Sequence, residues 1–119
     1  MNLVVVGDRL DTDVLGAIRG GADSLLVLTG VADVMDALTA AEGTRPTYIA
    51  WDLRGLTAPQ PPVEVSGTSA RCAGATASYD GGRLAVTGEG VAALRAACAL
   101  AWERADAGGP VSDVSGLEK

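Results

Sequence analysis

The chain has 119 residues, 48% of them hydrophobic, a net charge of −6 and no histidine. That length suits one compact domain or two small packed subdomains, and the missing imidazole excludes Ser-His-Asp, Cys-His and His-ligated metal chemistry. The acidic balance, with no basic stripe, argues against a nucleic-acid partner and leaves carboxylates as the candidate chemists.

The first segment, Asn2 to Val6, is a continuous aliphatic run ended by Gly7-Asp8. A run that is apolar on both faces suits a strand inside a parallel sheet. A polar loop follows, in which Asp11 or Thr12 would cap a helix through Val14, Leu15, Ala17 and Ile18, stopped by Gly20-Gly21. Ser24 to Leu28 reads as a second buried strand, residues 33–42 as a short helix, and Tyr48-Ile49-Ala50 as a third strand. Together these form a βαβαβ unit with right-handed parallel crossovers. Leu53 and Leu56 fall on one face of a closing turn.

Three prolines within residues 57–62 predict a stiff linker. Beyond it lie short strands at Val63 to Val65, Ser69 to Tyr79 and Arg83 to Thr87, the last two joined as a hairpin by Asp80-Gly81-Gly82. A helix from Val91 to Ala105 carries an apolar stripe of Val91, Leu94, Cys98 and Trp102, and Gly108-Gly109-Pro110 ends it. The expected layout is thus residues 1–57, residues 63–108 and a flexible tail over 109–119. Cys72 and Cys98 lack CxxC spacing, so they read as buried thiols in a reducing cytoplasm rather than as zinc ligands. The initial apolar run is too short for a signal peptide, and no stretch reaches the length of a membrane helix.

Chemistry concentrates in Val4-Val5-Val6-Gly7-Asp8-Arg9-Leu10-Asp11-Thr12-Asp13. A parallel strand delivers its C-terminal end to the crevice where open α/β sheets bind ligands. Asp8 would sit at that tip and Asp13 at the following helix start, two carboxylates suited to Mg²⁺. On spacing alone, Asp8 as a turn residue with Asp11 or Asp13 as a helix cap is an equal alternative.

The longer pattern Gly7-Asp8-Arg9-x-x-Thr12-Asp13, between a strand and an amphipathic helix, resembles the fourth motif of haloacid dehalogenase (HAD)-type phosphatases. It is nearest their nitrophenylphosphatase- and glycerol-phosphate-phosphatase-like branch. Gly16-Ala17, Gly21-Ala22, Leu25 to Val31, Arg45 to Ala50 and Asp52-Leu53-x-x-Leu56 continue the likeness over residues 2–56. The resemblance implies a partial Rossmann-like HAD core with Asp8 as Mg²⁺ ligand, Asp13 orienting waters or the Asp8 loop, and Thr12 shaping that loop.

In that family an aspartate from an earlier Asp-x-Asp motif attacks phosphorus, and a Lys or Arg from a third motif balances charge. Asp11-Thr12-Asp13 follows no strand directly, and Lys119 is the sole lysine. No catalytic residue is therefore assigned. The chain reads as the C-terminal part of a phosphatase for small phosphorylated metabolites, inactive alone, with weak or absent Mg²⁺ affinity.

The second half resembles a degenerate N-acetyltransferase (GNAT) strand–loop–helix, through Leu84-Ala85-Val86, Gly88-x-Gly90 and the Ala/Leu-rich helix. It implies a small α+β (ββα) subdomain. Ala85 stands where that family has Gln or Arg, so no coenzyme site is assigned and a structural or docking role is expected. The alternative function for the whole chain is a non-catalytic module. An apolar sheet edge at Val4-Val5-Val6 predicts a homo-oligomer or a separately encoded partner.

Overall fold

The computed structural model describes residues 4–7, 14–28, 34–40, 44–51, 62–88 and 90–116. The chain divides into two compact units, Met1–Pro59 and Gln60–Lys119.

In the first unit, β1 (Val4–Gly7), β2 (Asp23–Val27) and β3 (Tyr48–Ala50) form a parallel sheet of order β1-β2-β3. The register pairs Gly7 with Leu26 and Val27 with Ala50, so all three strands end on the same side. Leu25, Leu26, Val27, Ile49 and Ala50 are buried, as continuous apolar strands covered on both faces require. Ser24 is the buried polar residue reported with them, and it is paired. Its backbone N–H donates to Thr47 Oγ1 and its Oγ accepts from the Thr47 N–H, both at 3.1 Å. This reciprocal pair fixes the entry of β3 against β2.

Helix α1 (Leu15–Arg19) has Val14 as its N-cap residue and no side-chain cap bond. The expected caps Asp11 and Thr12 lie outside the described residues. Five residues cannot sustain a helix unaided; buried Val14 and Ala17 hold it, and α1 packs on β2. Its end is a Schellman motif: the Gly21 N–H donates to Ile18 O and the Ala22 N–H to Ala17 O. Gly21 sits at φ 74°, which is why glycine is needed there. Helix α2 (Val34–Leu38) is shorter than the expected 33–42, with Ala37 and Leu38 buried. Residues 41–43, and Leu53 and Leu56, lie outside the described residues.

The second unit departs from the expected strand–hairpin–helix arrangement. Strands β4 (Val63–Ser66), β5 (Ser69–Cys72), β6 (Ala75–Asp80) and β7 (Arg83–Thr87) form an antiparallel meander. The single strand read over Ser69 to Tyr79 is thus two strands, reversed at Ala73-Gly74. Ala73 adopts φ 52°, a left-handed conformation that alanine does not advertise in sequence. The Asp80–Arg83 hairpin forms as expected, with Gly81 and Gly82 both at positive φ.

Helix α3 (Gly90–Asp106) packs across β4, β5, β6 and β7 and ends in a second Schellman motif at Gly108-Gly109. Of its predicted stripe, Leu94 and Cys98 are buried and Val91 and Trp102 half-buried.

Where a flexible tail over 109–119 was expected, Asp113–Ser115 forms β8, parallel to β7. Val111 is buried, and the Ser112 N–H donates to Gly82 O at 2.7 Å, guiding the chain into the ladder. The sheet order is β4-β5-β6-β7-β8. Among the described residues no helix is long and apolar enough to cross a membrane.

Candidate metal centre

The strand that should carry the metal-binding loop is in place. β1 ends at Gly7, one residue before Asp8, and the helical path resumes at Val14, one residue after Asp13. The loop between them starts at the C-terminal end of the parallel sheet, beside the ends of β2 and β3. Asp8, Arg9, Thr12 and Asp13 themselves lie outside the described residues. Among the described residues no group of three or more His, Cys, Asp or Glu could hold a metal ion.

One polar group at this end of the sheet escaped the sequence reading. Trp51 follows β3 directly, and its indole Nε1 is buried without a hydrogen-bond partner. A buried unpaired donor costs about 1–3 kcal/mol and is rare enough to need a reason. No periodicity or motif could have marked it, because the signal is burial of one atom.

The second unit's candidate loop has a different explanation. Gly88 closes β7 at φ 101°, and a Cβ there would lie 2.7 Å from both Cα and Cβ of Ala75. Close passage past the start of β6 therefore accounts for this glycine. Gly90, at φ 70°, has open space around it. On the sheet, a concavity of about 320 Å³ is lined in part by Ser78, Asp80, Arg83, Asp113 and Ser115. Cross-strand register places Arg83 between Asp80 and Asp113, and Arg83 meets Asp113 at 3.4 Å. Both partners are exposed, so this pair adds little stability.

Both cysteines are buried free thiols. Burial pushes Cys98 up to about 12, opposed in smaller part by the Arg95 charge. Burial also raises Cys72, against the charge and hydrogen bond of Arg95. A thiol whose folded-state value is raised stabilises the fold fully below the unfolded value and loses that contribution as pH rises. Stability should therefore fall between about pH 9, where unfolded Cys98 ionises, and about pH 12. The check is the urea midpoint against pH: the slope should flatten in Cys98→Ala, and an unchanged slope would refute the assignment.

Residues 1–56 match the model of the HAD-hydrolase-like family. The chain is 41% identical over 110 residues to the D-glycerol 3-phosphate phosphatase of Mycobacterium tuberculosis, covering 84% of this chain and 30% of that protein. Crystal structures of glycerol phosphate phosphatase from the same organism are also similar. The magnesium complex gives a TM-score of 0.61 at 31% identity, over 97% of this chain and 34% of that one. The calcium complex gives 0.60 at 31% identity, over 97% and 35%. The chain thus spans about a third of the length of the relatives it matches. Its first 56 residues carry the HAD-hydrolase-like signature, and the chain is homologous to a glycerol 3-phosphate phosphatase.

Proposed function

We propose that the first unit is the metal-binding part of a Mg²⁺-dependent HAD-type phosphatase acting on small phosphorylated metabolites. The observation that carries this reading is the position of the Gly7-Asp8…Thr12-Asp13 signature, directly on the C-terminal end of a parallel strand. The donor chemistry fits: two carboxylates at such an end suit Mg²⁺, which takes one or two and keeps its waters. Asp8 would ligate the ion and Asp13 would orient its waters or the Asp8 loop. Bound there, the ion would neutralise charge on the transferring phosphoryl group. The solved relative's magnesium and calcium complexes support a divalent cation, and its glycerol phosphate supports a small phosphorylated substrate.

These 119 residues offer no aspartate placed as the nucleophile, so the isolated polypeptide should hydrolyse an aryl phosphate no faster than buffer with Mg²⁺. Clear Mg²⁺-dependent turnover that disappears in Asp8→Asn would overturn that expectation.

A non-catalytic interaction module is the second reading, and exposed apolar residues at the sheet edge favour it. For the second unit, β7, α3 and β8 make a parallel strand–helix–strand with Gly88 and Gly90 at the first turn. This supports the N-acetyltransferase-like comparison at the level of fold. Ala85 and the packing reason for Gly88 weigh against a coenzyme site, so we assign a structural or docking role.

A further inference from the structure

Among the described residues, the exposed large hydrophobics are Val5, Val6 and Ile18, at 37%, 38% and 40% exposure. All three belong to the first strand–helix pair. β1 stands at the edge of the sheet, with β2 as its one hydrogen-bonded neighbour among the described strands. Val5 and Val6 are consecutive, so they point to opposite faces. A strand apolar on both faces belongs inside a covered sheet, and an uncovered apolar edge recruits another chain.

The occupant follows from length and from shape. The matched structures superpose on 97% of this chain, yet this chain supplies 34% of theirs. The remaining two thirds of such a polypeptide are available to continue the sheet. A second copy joined edge to edge would satisfy the strand but bring another Val5 and Val6 to the seam, with no layer over either face. Covering both faces requires a strand that arrives with its own packed helices.

We propose that β1 is the docking edge for the complementary part of a phosphatase polypeptide, which adds a strand there and buries Val5, Val6 and Ile18. This rests on the phosphatase reading, since that reading identifies the partner. The added strand extends the same sheet, at whose C-terminal end the Asp8 loop begins. Docking would therefore bring new side chains to that loop without remodelling β1.

The test co-expresses the tagged 119-residue chain with the part of the Mycobacterium tuberculosis glycerol phosphate phosphatase that it does not cover. A 1:1 complex should copurify, and the double variant Val5→Lys, Val6→Lys should weaken it at least about tenfold, since burying an unpaired charge is costly. If that variant loses its circular dichroism signal, Ile18→Lys on the helix surface reads the same face. No copurification, capture indifferent to these lysines, or a homodimer at β1 in place of the complex would each overturn the proposal. Asp8→Asn should keep the complex and lose Mg²⁺-dependent phosphatase activity. A wild-type complex that forms without activity would uphold the docking edge and sink the phosphatase reading.

Discussion

Leu100→Ala should destabilise the second unit by about 3–5 kcal/mol, the upper part of the range for buried leucines. Leu100 is fully buried on α3, among buried Ala93, Ala96, Ala97 and Ala101. The sheet beneath α3 contributes buried Ala70, Ala75 and Ala77. Such neighbours have no flexible ends that could swing into a cavity, so the void should persist. Leu94, equally buried, should behave alike. The measurement is urea unfolding followed by Trp102 emission in a Trp51→Phe background. A loss below about 1 kcal/mol would show that the layers collapse onto the gap.

Gly88→Ala should cost about 3 kcal/mol, combining left-handed backbone strain with overpacking. Its new Cβ would meet the Ala75 backbone at 2.7 Å, which neither strand can yield without breaking the ladder. Gly67 supplies the control: it has φ 60° but open space around a would-be Cβ. Gly67→Asn should therefore be nearly neutral, since asparagine tolerates that conformation. Equal losses at the two sites, read by thermal midpoint, would mean that backbone conformation alone matters and the contact with Ala75 does not.

Legibility of this fold from sequence varied with the kind of signal. β3 was placed at Tyr48-Ile49-Ala50 because a short aliphatic run lies between Pro46 and a polar stretch. α3 was clear from its period, and the β6–β7 hairpin from Asp80-Gly81-Gly82. The β5–β6 turn was hidden because Ala73 takes a conformation usually left to glycine. β8 was hidden because Gly108-Gly109-Pro110 reads as a terminus, whereas its pairing depends on a distant acceptor, Gly82 O. Helix α2 came out shorter than its pattern, ending near Thr39, whose hydroxyl donates to Met35 O.

The functional reading divides in the same way. The likeness to HAD phosphatases was visible because Gly7, Asp8, Thr12 and Asp13 sit in order within matching flanks, and the family match spans those residues. The unpaired Trp51 indole was not visible, since it is a property of packing. Asp8 and Asp13 were read as a metal pair from their chemistry, and the described residues supply the strand end and helix start on either side of them.

The alanine paving between α3 and its sheet also constrains how this sequence can change over time. With small side chains on both surfaces, the backbones themselves set the separation of the layers, leaving no slack for an added methylene. Substitutions there are confined to residues of alanine's size, whereas the polar outer face of the same strands can vary freely. Divergence among relatives of the second unit should therefore be lopsided: nearly frozen volumes on one side of each strand, and drifting identities on the other.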